Sequence, residues 1–306
     1  QITVQCGAAE AEAPFALATM DYYFRGTAHV RHGIGALATG LADAIARAGG
    51  EVRFSTRVKG LAPVDGGWRA ETRRGPVTAR RVVLNLIPQA ARRLLGRAPG
   101  EHRGLDKRAD AVAQSWGAAM LYLSAEPPPG APDKPRHLQC VMDASAPLRE
   151  GNHIFCSISG AADADRAPDG RRTITVSTHV PMPTLVALPE AERGPYIERI
   201  QHTMRATFRA RVPEWSDGVR FAETASPRTF ARFTGRDEGF VGGIPRRVGL
   251  SHYLDLVPRA IAPGLHLVGD SVFPGQSTLA TAVGGWKLAE RLHGGLGAPA
   301  RTPLLE

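Results

Sequence analysis

The residues best placed to do chemistry stand near the C-terminal end, in the run APGLHLVGDSVFPGQSTLATAVGGWKLAERLHGG (262–295). Leu265, Leu267 and Val268 predict a buried strand that ends at Gly269-Asp270, Pro274-Gly275 predicts a turn, and a helix opens at Ser277-Thr278. Hydroxyl side chains at a helix start cap its free N–H groups. Those N–H groups, with about half a positive charge from the helix dipole, suit an electron-rich ligand oxygen. The small residues Ala280, Ala282, Gly284 and Gly285 would let a flat ligand or a neighbouring helix come close. The same residues equally suit an ordinary strand–turn–helix with a glycine-packed helix, and their types alone leave both readings open.

Other chemistries find little support. GIGALA (33–38) fits the spacing of a dinucleotide-binding loop, but the preceding RGTAHVRH is polar and the next strand ends in Ser55-Thr56-Arg57. That fingerprint needs a buried strand before it and an acid at the end of the next strand, so this match reads as accidental. The ten histidines form neither HExxH nor HxH, and no phosphate loop or nucleophile elbow occurs, so no metal is expected. Three cysteines (Cys6, Cys140, Cys156) without a CxxC give neither a disulfide scaffold nor a cysteine-built zinc site, and predict a reducing compartment. Cys156, on a strand-like run, reads as a core thiol.

The elements that must position such a site follow from periodicity. Leu37, Leu41, Ala44, Ile45 and Ala48 predict a helix over 35–48, stopped by Gly49-Gly50. Val52, Phe54 and Val58 suggest a strand, the Asp65-Gly66-Gly67 turn and WRAETRR a hairpin, and RRVVLNLIP a short buried strand followed by a short helix. This order suggests part of a layered α/β sheet with an inserted ribbon. QSWGAAMLYLS, RHLQCVM, NHIFCSIS and RRTITVSTHV then predict a mainly antiparallel sheet. Ala191, Ile197, Ile200, Met204 and Phe208 predict an amphipathic helix over 189–211, and VRFAETAS (219–226) returns to strand.

A length of 306 residues predicts two domains at about 150 residues each. Apolar residues at 43% and charged residues at 22% describe a soluble globular chain, and no run reaches the about 18 apolar residues of a spanning helix. The net charge is +9, and all but Lys59, Lys107, Lys134 and Lys287 of the basic residues are arginine. Their spread along the chain reads as a solvated basic surface, with attraction to an anionic membrane face as the alternative. Nucleic acid is not expected, because no basic run is interleaved with aromatics, which make up 6% of the chain. The opening QITVQC starts at Gln1 without the pattern of a signal peptide, and reads as the middle of a longer protein.

Five segments in this order resemble the flavin-dependent carotenoid desaturases, carotenoid isomerases and retinol saturases of the amine-oxidase-like flavoproteins. They are AEAPFALATMDYYFRG (11–26), AGGEVRFSTRVKGL, ARRVVLNLIP, ASPRTFARFTGRDEGFVGGIPRR (225–247) and PGLHLVGDSVFPGQSTLATAVGG. The resemblance implies FAD as cofactor. Val58 matches the residue whose backbone meets the adenine, and Asp270, after Gly269, matches the acid that holds the flavin ribitol. Pro274, Gly275, Gln276, Ser277, Thr278 and Leu279 form the turn and helix start that match the flavin pyrimidine site. Two departures stand out: His32-Gly33 replaces the family's paired glycines, and Ser277 replaces a glycine after PGQ. The family's opening strand and GxGxxG, which hold the FAD pyrophosphate, have no counterpart in this chain.

The fold implied is α/β plus α+β, a partial FAD-binding, glutathione-reductase-like domain with an inserted, mainly antiparallel substrate domain. The segments expected are 1–31 with the substrate domain, 32–95 with the FAD-binding domain, 96–260 as substrate domain, 261–295 returning to the FAD-binding domain, and 296–306 as a tail. The function implied is desaturation, isomerisation or saturation of C=C bonds in a carotenoid-like or isoprenoid polyene. No catalytic side chain is assigned. The partners implied are the apolar substrate, a membrane surface and the missing N-terminal dinucleotide-binding part, with a cytoplasmic, membrane-peripheral location. An apolar tunnel is expected to reach the cofactor near Gly242-Gly243-Ile244-Pro245. Two other readings compete: an amine-oxidase-like flavoenzyme with a polar substrate, and a non-catalytic lipid- or partner-binding chain.

Overall fold

The computed structural model describes residues 6–7, 9–25, 28–249, 257–258 and 260–294. The expected tail at 296–306 lies outside them. In chain order the elements begin with α1 (Ala13–Arg25), α2 (Ile34–Arg47), β1 (Val58–Val64), β2 (Gly67–Thr72), β3 (Val77–Ala79) and β4 (Val82–Leu84). Next come α3 (Pro88–Leu94), α4 (Arg103–Ala113), β5 (Trp116–Ala125), β6 (Arg136–Val141), β7 (His153–Ile158) and a 3-10 turn at Ala161–Arg166. After it stand β8 (Arg172–Pro181), α5 (Met182–Ala187), α6 (Glu190–Arg211), α7 (Pro213–Ser216), β9 (Val219–Ala225) and α8 (Pro227–Thr234). The chain closes with β10 (Ala260–Ala262), β11 (Leu265–Leu267) and α9 (Thr278–Gly294).

The chain divides into two compact units, Gln1–Ala16 with Val58–Val112 and Gly242–Glu306, and Leu17–Arg57 with Ala113–Val241. The first holds an antiparallel meander, β1-β2-β3, and a second three-stranded sheet, β10-β11-β4. Val64 pairs with Gly67, so the β1–β2 hairpin closes on the two residues Asp65-Gly66, with Gly66 at φ 71°. Glycine adopts that left-handed backbone at no steric cost, which is why this dipeptide makes tight hairpins. β11 and β4 run parallel, with Leu265 beside Val82 and Leu267 beside Leu84. The core joins Leu61 and Trp68 of the meander to Leu84, Leu265 and Leu267 of the sheet, Ala91 of α3 and Leu105 of α4. The buried Trp68 indole donates to the Pro263 carbonyl at 2.9 Å, which removes the penalty of a buried N–H. Pro88 opens α3 at a position where its missing N–H costs nothing.

The second unit is built on an antiparallel sheet of order β6-β7-β8-β5-β9. Its two faces differ. On β8, Ile174, Val176, Thr178 and Val180 are buried, while Thr173, Thr175, Ser177 and His179 are half-buried. The period of two thus sorts apolar from polar side chains. α6 packs on β5, β6, β7 and β8 and buries Tyr196, Ile197, Ile200, Gln201, Met204, Thr207 and Phe208. Gly117 is needed here, since a Cβ would stand 2.5 Å from the Met182 sulfur.

Two sequence expectations change. Residues 51–57 form no strand: Ser55 has φ 54°, Phe54 is 72% exposed, and pairing starts only at Val58. The alternation of Val52 and Phe54 is present, but no neighbouring strand among the described residues takes it up. The unit boundaries also differ from the expected segments, because 32–57 groups with the middle of the chain and 96–112 with the C-terminal motif. α2 buries no residue, so its position is set by the segment before it. There His29 meets Asp163 at 2.8 Å and His32 meets Asp165 at 2.9 Å, both on the 3-10 turn. No strand precedes GIGALA among the described residues.

Candidate functional site

The candidate site is the turn that leads from β11 into α9. At the parallel strand's end, Gly269 is buried at φ 112°, and a Cβ there would stand 2.5 Å from Asn85 Oδ1. The backbone needs glycine on both counts. Asp270 follows, half-buried, and accepts a hydrogen bond from the Ser271 hydroxyl at 3.2 Å. Gly243 presses on this point from another part of the same unit: a Cβ would run into the Asp270 carbonyl. The close approach expected of that glycine is therefore made to protein backbone.

Gly275, buried at φ 103°, carries the turn, and a Cβ there would stand 2.5 Å from an Arg246 guanidinium nitrogen. Arg246 is only 3% exposed. It lies over the Phe15 ring at 4.3 Å and the Phe273 ring at 5.7 Å, and donates to the Pro274 carbonyl. Cation–π contact on two sides, with the hydrogen bond, holds the guanidinium and through it the turn. Its own carbonyl accepts the Cys6 thiol at 3.2 Å. Burial raises the Cys6 pKa, with the Glu10 carboxylate adding to the rise, so this cysteine is a structural donor rather than a nucleophile.

The helix start completes the site. Ser277 Oγ accepts the Ala280 N–H at 3.0 Å, as the hydroxyl pattern predicts. The N–H groups of Thr278 and Leu279 meet no acceptor among the described residues, and Leu279 is 75% exposed. The Gln276 Oε1 is buried without a hydrogen-bond partner among the described residues. A buried polar atom left so costs about 1–3 kcal/mol, a cost that a bound donor would remove. Open N–H donors, a half-buried acid and an orphaned amide oxygen in one turn fit a polar, planar group carrying both donors and acceptors.

Gly269, Asp270, Pro274, Gly275, Gln276, Ser277, Thr278 and Leu279 thus form one continuous turn, while Val58 stands at the start of β1 in the same unit, 40% exposed. Sequence reasoning missed Arg246 and Asn85. Nothing in IPRR separates the buried Arg246 from its neighbour Arg247, which pairs with Glu10. Asn85 did leave a signal, as the one polar residue within VVLNLI. Among the described residues no group of histidines, cysteines or carboxylates is arranged to hold a metal.

In the second unit the half-buried sheet face carries a small imidazole network. His153 Nε2 meets Gln139 Oε1 at 2.5 Å, and its ring stacks on His179 at 6.5 Å between centroids. Trp116 meets His179 edge-on at 5.4 Å. Burial, then the His153 charge, lowers His179 to about 4, so both rings are neutral at pH 7.

No protein-family model matches the chain. Among solved structures it is similar to an oxidoreductase from Methanosarcina mazei, with TM-score 0.54 and 15% identity over 85% of this chain and 55% of that one. It is also similar to cyclohexylamine oxidase from Brevibacterium oxydans, with TM-score 0.50 and 14% identity over 85% of this chain and 53% of that one. These likenesses show a fold shared with those two proteins. Prolycopene isomerase of Arabidopsis thaliana is 28% identical over 94% of this chain and 49% of its own length, and that of Daucus carota 25% identical over 94% and 47%. The chain is thus similar along nearly its whole length to prolycopene isomerases, which are carotenoid isomerases. It spans about half the length of the curated relatives it matches.

Proposed function

We propose that this chain is the C-terminal part of an FAD-dependent oxidoreductase that isomerises, desaturates or saturates C=C bonds of a carotenoid-like or isoprenoid polyene. The observation that carries the reading is the Gly269–Leu279 turn, with its orphaned Gln276 oxygen and open N–H groups. When bound, the flavin would supply hydride transfer at its N5. Asp270 would accept from the ribitol, and the Val58 backbone would meet the adenine. The N–H groups of Ser277, Thr278 and Leu279, at the positive end of α9, would face the pyrimidine oxygens and stabilise negative charge there. Arg246 acts through the turn, as a positioning residue.

A hydrocarbon substrate offers few polar handles, so its pocket should be mainly apolar. Trp116, Met120 and Phe155, on the half-buried face of the five-stranded sheet, are candidates for one wall. The same face carries Thr173, Thr175, Ser177 and His179, which favours the amine-oxidase-like reading with a polar substrate as the second choice.

The chain's open surfaces suit a glycine-rich dinucleotide-binding half as partner. The apolar face of α2 is exposed at Ile34, Leu37, Leu41 and Ile45. In the other unit, the outer edge of β4 pairs with no strand among the described residues. The proposed location is cytoplasmic and peripheral to a membrane, where a polyene dissolves; no described helix is long and apolar enough to cross one.

The test uses the protein at the full length of its relatives, loaded with FAD, reduced, and given a poly-cis carotenoid. Isomer conversion or a change in the number of conjugated bonds supports the reading; oxidation of amines with the polyene untouched would replace it by the second. In the same protein Asp270→Ala should weaken FAD about ten- to a hundredfold, from the loss of a hydrogen bond to a charged group worth about 1.5–3 kcal/mol. Unchanged affinity in a folded variant would remove Asp270 from the site.

A further inference from the structure

The first unit has a second concave site. A trough of about 980 Å³ has an apolar floor that includes Leu61, Trp68, Ile261 and Leu265, and Arg80 and Arg97 stand at its exposed rim. It borders Arg80-Arg81 and Gly264-Leu265, the amino ends of the parallel strands β4 and β11. The Gly269–Leu279 turn leaves the carboxyl end of β11, so the trough lies at the opposite end of the sheet from the cofactor motif. Ligands of open α/β sheets bind at the carboxyl ends, and the proposed cofactor does not account for this site.

Its charge is also distinct. Residues 58–112 carry twelve lysines and arginines against five aspartates and glutamates, so this stretch holds +7 of the chain's net +9. The basic excess is concentrated here rather than spread along the chain. On the trough wall Arg81 donates to the Leu292 carbonyl at 2.8 Å, and His102 Nε2 meets the Ile261 carbonyl at 3.2 Å. Arg80 and Arg97 have no carboxylate partner among the described residues. Two open guanidinium groups above an apolar floor match an ion that carries a hydrocarbon chain; a free phosphate would leave the floor unused.

We infer that this trough docks the protein on a membrane by taking an anionic phospholipid, with its phosphate at Arg80 and Arg97 and an acyl chain against Trp68. The inference rests on the membrane-peripheral reading above and names the face that makes the contact.

The test is flotation of the 306-residue chain with vesicles of phosphatidylcholine alone or with phosphatidylglycerol. Each basic group near an anionic surface contributes about fivefold to partitioning, so R80Q/R97Q should lose on the order of thirtyfold on phosphatidylglycerol vesicles. R73Q/R74Q removes the same charge at the β2–β3 turn, the other end of the meander, and should lose only a few fold. Phosphatidylglycerol brominated on its acyl chains should quench tryptophan fluorescence in the wild type, with most of that quenching gone in W68F. Equal losses in the two double variants, or unchanged quenching in W68F, would overturn the docking site and leave peripheral binding standing. No binding of the wild type to phosphatidylglycerol vesicles would overturn both.

Discussion

α6 and α2 are helices of similar pattern and opposite fate. Each carries apolar residues at helical spacing. α6 buries seven side chains against its sheet, while α2 buries none and leaves Ile34 and Leu41 at least 60% exposed. The hydrophobic pattern states what a helix requires, and the structure states whether that requirement is met within this chain. In the second unit α6 closes one face of a sheet. On α2 a comparable stripe stays open, and it is the face proposed to meet a dinucleotide-binding half.

The comparison can be broken by mutation. Met204→Ala, at a fully buried position on α6, should cost about 2–5 kcal/mol in urea denaturation, through lost burial and a cavity. Leu41→Ala on α2 should change stability by less than about 0.5 kcal/mol, as exposed substitutions do. A cost at Leu41 equal to that at Met204 would mean that α2 is packed in solution and that the contrast is false.

Acid should sharpen it next. The face of the sheet that α6 covers has Ile174, Val176 and Val180, which do not titrate, whereas the other face holds His179. Its folded pKa of about 4 lies below the unfolded value near 6.5, so the unfolded chain binds more protons between the two. Stability from this group is therefore complete above about pH 6.5 and falls as pH drops towards 4, by up to about 3 kcal/mol. Thermal melts from pH 8 to 4 should show that loss in the wild type, and His179→Phe should flatten it. A wild type with constant stability across this range would show that His179 titrates normally.

The smallest effect concerns backbone. Both departures from the family's glycines fall at left-handed positions, His32 at φ 64° and Ser277 at φ 131°. A side chain there costs about 1–3 kcal/mol, and glycine in place of a capping serine loses only a few tenths. Ser277→Gly should therefore stabilise the chain by about 1 kcal/mol, read as a rise in the urea midpoint. A fall would show that the Ser277 cap on Ala280 outweighs the strain.

Much of this was legible from residues alone. The spacing of Leu37, Leu41 and Ile45 predicts α2, that of Ile197, Ile200, Met204 and Phe208 predicts α6, and the Asp65-Gly66 hairpin follows from turn chemistry. The strand–turn–helix of the candidate site follows from Leu265, Pro274-Gly275 and the Ser277 cap. What stayed hidden depends on partners distant in sequence. A strand over 51–57 needs a neighbour that the alternation of Val52 and Phe54 cannot supply. Arg246 becomes distinctive only through Phe15, Phe273 and Pro274, which the fold alone brings to it. Unit boundaries near α2 depend on His29 and His32 meeting Asp163 and Asp165, contacts that span more than 130 residues.

The central claim is that this chain supplies one side of a flavin site and needs a glycine-rich half to hold the dinucleotide. The most direct test is absorbance between 350 and 500 nm, on the order of the flavin bands, after gel filtration with excess FAD. The account predicts that the 306-residue chain leaves the column without stoichiometric flavin. Fused behind a GxGxxG-bearing half from a prolycopene isomerase, it should leave the column yellow, with the Leu41 face protected from hydrogen exchange. Stoichiometric flavin on the 306-residue chain alone would contradict the claim.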